Sequence, residues 1–219
     1  MSPRAQYLVL IVAAFVLSMV PVVHWPFSWL ETYFHEISHG VAAIVSGGSV
    51  ERIVLHFSGS GVCYTRGGWR PLVSFSGYFG AVLWGAVIYL GARATGRGSH
   101  WLAVGVAVLV AASGILWARD VITIAIMLVI CGVMYLSFRY VMGNVFPRLM
   151  EFAGIYVMVS AARAPLHLID GRHVGDGAML ANLSYVPEIV WALIWCGLAV
   201  GALVLIWALH GVPARQLPR

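Results

Sequence analysis

The sequence predicts an all-α polytopic membrane protein with six or seven transmembrane helices, interrupted once by a short β-hairpin. Composition is the first reason. Of the 219 residues 61% are hydrophobic and only 10% charged, and the mean hydropathy is +0.91, whereas soluble domains carry about 25% charged and 45–50% apolar residues. The second reason is that the apolar residues come in runs close to the ~20 that cross a bilayer's hydrocarbon. The third is a local change to period-two alternation between Val50 and Arg66, the pattern of a strand pair. A chain with nine Trp, nine Tyr and nine Phe also lacks the low hydrophobicity that keeps segments unfolded.

Taken in order, the spans run from Tyr7 to Trp25, Ser28 to Val45, Leu72 to Gly91, Trp101 to Ala118, Val121 to Phe138, Leu149 to Leu168 and Val186 to Leu209. Arg4 ahead of the first stretch resembles a secretory signal, but the stretch is long and no small-x-small cleavage site follows, so it reads as a retained span. Only Arg119 and Asp120 separate the fourth and fifth spans. They mark either a tight polar turn or a break in one long helix, hence six or seven. Every long loop is short of a domain's length, so residues 1–219 are expected to form one integral membrane domain.

The net charge is +5, and all thirteen basic residues are Arg, scattered singly between apolar stretches. No basic stripe follows a phosphate backbone, so nucleic acid is excluded as a partner. With seven spans the twelve Arg residues outside them divide six and six between the two sides, and the positive-inside rule leaves orientation open. Cys63, Cys131 and Cys196 show no metal-type spacing and read as small packing residues.

One stretch carries specific chemistry. Glu31-Thr-Tyr-Phe-His35-Glu36-Ile-Ser-His39-Gly40 contains the pattern H-E-x-x-H inside the second span. On a helix His35 and His39 share a face one turn apart, so both imidazoles can reach one tetrahedral zinc while Glu36 points to its water. Zinc lowers that water's pKa to about 7, and a neighbouring carboxylate takes the proton as a carbonyl carbon is attacked. These are the parts of a peptide-bond hydrolase. Three ionisable groups in five positions of a membrane helix also need a compensating partner, and a divalent metal is one.

The sequence here resembles the site-2-protease-type intramembrane zinc metallopeptidases, in particular a compact bacterial-type branch. The resemblance runs through HEISHGVAAIVSGGSVERIVL, GSGVCYTRGG, SGYFGAVLWGA and IDGRHVGDGAMLANLSYVPEIVWALIW. It implies an integral protein of a bacterial cell membrane, Zn2+ as cofactor, transmembrane proteins as substrates, and Glu36 as the catalytic base. It also implies a third ligand, an Asp from a distant helix followed by a small residue.

Two candidates fit that description. Asp176 in Gly175-Asp176-Gly177-Ala178 opens a helix-like run and is favoured, because a ligand at a helix start is better held than one in a polar loop. Asp170 in Leu168-Ile169-Asp170-Gly171 is the alternative. His167, Asp170 and His173 recur every three residues and read as interfacial anchors before a second metal site. His35 lies about 10 Å into its span at 1.5 Å per residue, so Asp176 must be carried to the same depth. Within the third-ligand region 168–184, the segment around Gly171 to Gly177 is therefore expected to enter the membrane as irregular backbone lining a polar cavity, with glycines accepting the unusual dihedrals and Pro187 kinking or breaking the helix that follows.

After the metal helix, 28–47, the segment 50–66 reads as a β-hairpin turning at Gly59-Ser60-Gly61. A peptide must be extended for its carbonyl to reach a metal, and a free strand edge can hold it by main-chain hydrogen bonds. Ile53, Val54 and Leu55 are the expected substrate-binding strand, against the plainer reading of an interfacial connector. Gly77, Gly80, Ala81 and Gly85 in the third span are spaced to let the metal helix approach. Asn182 is either an oxyanion donor or a structural amide between helices.

The expected function is intramembrane proteolysis of membrane-spanning substrates that unwind locally. A zinc-holding escort of other membrane proteins and a transporter are the rivals. An intact Glu36 argues against the first, and the lack of an internal repeat against the second.

Overall fold

The computed structural model describes residues 1–141, 145–168 and 174–210. The described chain forms α1 (Pro3–Leu17), α2 (Trp25–Val45), β1 (Ser49–Leu55), β2 (Gly61–Arg66), α3 (Arg70–Thr95), α4 (Ser99–Trp117), α5 (Val121–Tyr140), α6 (Val145–Arg163), α7 (Asp176–Ser184) and α8 (Glu188–Leu209). Among the described residues five stretches are long and apolar enough to cross a membrane: α3, α4, α5, α6 with its 3-10 extension to Leu168, and α8. α2 has 21 residues but is diluted by Glu31, His35, Glu36 and His39, and α1 is short at 15 residues. The protein is an all-α polytopic membrane protein with one small antiparallel sheet.

Arg119 and Asp120 form a turn between two helices. The Asp120 side chain caps α5 by accepting from the Thr123 N–H at 2.8 Å, which satisfies one of the donors that a helix start leaves free. Pro187 starts α8 after a break at Tyr185, whose φ of 61° is left-handed.

α3 is the organising helix. Along α2 it stacks Trp84 on Phe34, with ring centroids 5.2 Å apart, and the Ser76 hydroxyl donates to the Ser38 carbonyl. Gly80 faces the Ser38 side chain so closely that a Cβ would collide with it. Gly85 faces α6 and not the metal helix: a Cβ there would lie 2.7 Å from the Gly154 carbonyl oxygen, and one on Gly154 would lie 2.6 Å from that of Gly85. Two glycines thus let α3 and α6 meet backbone to backbone.

The hairpin folds back along α2. Near its tip the Trp29 indole donates to the Phe57 carbonyl and the Thr32 hydroxyl to the Gly59 carbonyl, at 3.2 and 2.6 Å. At its base Val50 lies against Gly40. β1 pairs Ile53 with Cys63 and Leu55 with Gly61, with an irregularity between Val50 and Arg52. The other edge of β1 is occupied. Ile53 bridges Ala118, and the Leu55 N–H donates to the Thr123 hydroxyl at 2.8 Å. That leaves β2 as the sheet's other edge, with Gly61 beside Thr32 and Glu36 of α2.

Candidate metal centre

The H-E-x-x-H pattern sits at the middle of α2, where helical periodicity turns His35 and His39 to one face. Their Nε2 atoms are 3.0 Å apart, and Oδ2 of Asp176 lies 3.0 Å from one and 3.2 Å from the other. Three ligand atoms from two distant helices therefore converge on one point. Asp176 is the first residue of α7, and Gly175 before it has a φ of +101°, a conformation glycine adopts without the steric cost a side chain would bring. That turn delivers the carboxylate to the depth of the imidazoles.

The donor set fits a small divalent cation. His39 Nδ1 lies 2.7 Å from the Val73 carbonyl oxygen, which can only accept, so the proton is on Nδ1 and Nε2 presents a lone pair. A lone pair at Nε2 facing a carboxylate oxygen and a second imidazole nitrogen at ~3 Å is repulsive without positive charge between them. A proton lies along one edge of that triangle. A cation at its centre serves all three corners, and bonds of about 2.0–2.1 Å in tetrahedral geometry would set ligand atoms roughly 3.3 Å apart.

Glu36 lines the same cavity, a space of about 400 Å³ that also borders His35, His39, Asp176 and β2. The residue is only 4% exposed. A Cβ on Gly61 would lie 2.8 Å from its Cγ and 2.9 Å from Oε1, so the first residue of β2 passes directly over the carboxylate. The Cys63 N–H points to the same carboxylate. Gly77 plays the matching part on the other wall. A Cβ there would fall 2.6 Å from Cε1 and Nε2 of His35 and from Cε1 of His39, which leaves glycine as the residue that lets α3 pass the two rings.

His35, Glu36, His39 and Asp176 are thus brought together. Asp170 and His173 lie outside the described residues, and His167 is exposed. Ile53 and Leu55 are 0% and 1% exposed and pack in the core, Val54 is half-buried, and none of the three lines the cavity. Asn182 is exposed and also lies away from it. The strand at the cavity is β2, through Gly61, Val62, Cys63 and Thr65, together with Val73 and Tyr78 of α3. Sequence reasoning missed these. In a two-stranded sheet either edge can be the free one, and the partner of β1 is a turn more than fifty residues away.

An apolar helical bundle that gathers two His from one helix and an Asp from another, beside a buried Glu, defines an integral membrane protein with a candidate metal centre of the H-E-x-x-H type. A family model described as Peptidase M50B-like matches residues 7–206. The chain belongs to that peptidase family, a site-2-protease family. No curated protein and no solved structure matched it.

Proposed function

We propose that the protein is an intramembrane zinc metalloprotease that hydrolyses peptide bonds of membrane-spanning substrates. The observation that carries this reading is the convergence of His35, His39 and Asp176 within 4.8 Å of one another, with Glu36 on the same cavity. Zinc held by those three residues would supply a Lewis acid and a water of lowered pKa.

The chain's own residues do the rest. Glu36, one position from His35 and covered by Gly61, accepts the proton of the attacking water at its carboxylate and returns it to the leaving amide nitrogen. The Val73 carbonyl holds His39 in the Nδ1–H tautomer, keeping Nε2 free to bind metal. The outer edge of β2 holds an extended stretch of substrate by main-chain hydrogen bonds, in place of the Ile53–Leu55 strand, whose edge Ala118 and Thr123 occupy. A substrate helix must therefore unwind locally before its carbonyl reaches the cavity.

The test couples metal content with cleavage of detergent-solubilised single-span proteins by wild type and Glu36→Gln. Zinc in both forms and cutting by wild type alone supports the reading. Zinc in both and cutting by neither across a broad panel moves the reading to the escort function.

A further inference from the structure

An attacked carbonyl oxygen gains negative charge, and a preorganised donor aimed at it contributes strongly to rate. Asn182 is exposed and does not reach the cavity, so that donor must come from the cavity wall. Tyr78 lies on that wall. Its ring meets the His35 ring at 4.4 Å between centroids, with 74° between the planes, and the Trp195 ring at 4.9 Å. Trp195 is itself fixed by donating its indole N–H to the Phe75 carbonyl at 3.0 Å. The phenol ring is therefore clamped between a metal-ligand imidazole and a locked indole, while its hydroxyl makes no hydrogen bond among the described residues and is not sealed in the interior.

The other neutral donors on the wall are less suited. Cys63 and Thr65 belong to β2, the edge assigned to the substrate main chain, and Ser74, one turn nearer the start of α3, is buried with a short side chain. Resting on the proteolytic reading above, we propose that Tyr78 is a catalytic residue whose hydroxyl donates a hydrogen bond to the substrate carbonyl oxygen as its carbon becomes tetrahedral. The ring packed on His35 and the free hydroxyl of this cavity-wall residue carry the assignment, and the clamp supplies the preorganisation that such a donor needs.

Tyr78→Phe separates this role from packing, because the ring stays and only the hydroxyl leaves. Three measurements on the detergent-solubilised full chain test it: zinc content, cleavage of the single-span protein that wild type cuts best, and calorimetric binding of an N-phosphoryl dipeptide, whose tetrahedral phosphoryl oxygens stand in for the charged carbonyl oxygen. The expected result is unchanged zinc, a kcat lower by about 10²–10³-fold with little change in KM, and phosphoryl-dipeptide binding weaker by roughly 10–100-fold. A mercaptoacyl dipeptide, which lacks those oxygens, should bind both forms equally. Tyr78→Phe within about threefold of wild type in both kcat and phosphoryl binding, or stripped of zinc, overturns the proposal. A wild type that neither cuts any single-span protein of the panel nor binds the phosphoryl dipeptide overturns the proteolytic reading itself, and this proposal with it.

Discussion

The imidazole of His39 is held from behind by the Val73 carbonyl oxygen, 2.7 Å from Nδ1. Val73 lies in the first turn of α3. The helix that brings Gly77 against the two imidazoles thus also sets the tautomer of one of them. Ring orientation and the Nδ1 proton are held by the protein's own backbone, which is what a preorganised metal site requires.

Metal retention should separate the ligands from the base. Asp176→Ala, His35→Ala and His39→Ala are each expected to weaken zinc binding by more than the 10–100-fold typical of losing an outer partner, whereas Glu36→Gln and Asp170→Ala retain it. Elemental analysis of the purified variants reads this directly. Zinc loss in Asp170→Ala with retention in Asp176→Ala would reverse the ligand assignment.

Gly77→Ala tests the approach of α3. A methyl group 2.6 Å from atoms of both His35 and His39 cannot be accommodated without moving a ring or the helix, and overpacking of this kind costs about 1–3 kcal/mol. Both a lower unfolding temperature and weaker zinc binding are expected. Gly105→Ala, which meets nothing within 4 Å in α4, is the control and should leave metal content unchanged.

Cys63 is the cysteine on the cavity wall, whereas Cys131 and Cys196 lie on α5 and α8 away from it. Methylthiolation of Cys63 would add atoms to the cavity wall that Glu36 shares, at the edge where substrate is proposed to lie. Treatment with a methanethiosulfonate reagent should therefore abolish cleavage by wild type and spare Cys63→Ala. Protection of wild type by an active-site-directed dipeptide, followed by mass spectrometry, would locate the modified thiol.

The bilayer-scale apolar runs make most helices readable from sequence: the third to fifth expected spans match α3, α4 and α5 to within a few residues. The pairing of His35 and His39 is legible too, because i, i+4 spacing on a helix is enough to place two imidazoles on one face, whereas the choice between Asp176 and Asp170 is not, and it is the fold that brings Asp176 to the two rings. What sequence alone did not yield depends on distant contacts. Whether Ile53 or Cys63 faces the cavity is decided by Ala118 and Thr123 docking on β1, and no local pattern encodes that. Gly85 likewise looks like Gly77 in sequence, yet it serves α6, because helix periodicity sets the spacing of small residues and not which neighbour they meet.

The docking of β1 on the α4–α5 turn yields the last prediction. The Thr123 hydroxyl accepts from the Leu55 N–H at 2.8 Å and donates to Oδ2 of Asp120 at 2.7 Å, while the Thr123 N–H donates to Oδ1. One hydroxyl proton satisfies this chain without conflict. Thr123→Val removes the acceptor and leaves a buried N–H on Leu55, a loss of about 1–3 kcal/mol, and Asp120→Ala removes the cap at about 1 kcal/mol. The two share Thr123, so the double variant should cost less than the sum. For Asp120 burial acts to raise the carboxyl, but the N–H and hydroxyl of Thr123 outweigh it and hold the group below the usual carboxylate range. With the folded value depressed, the cap is fully present above the ordinary carboxylate pKa of about 3.9 and is lost as pH falls through the lower folded value. Thermal unfolding of the detergent-solubilised protein should then show a wild-type advantage over Asp120→Asn that is constant from pH 7 to pH 5 and shrinks below pH ~4. Cleavage should fall in Thr123→Val even where the variant stays folded, because a loosened β1 no longer holds β2 beside Glu36; a folded Thr123→Val of wild-type activity would disprove that coupling.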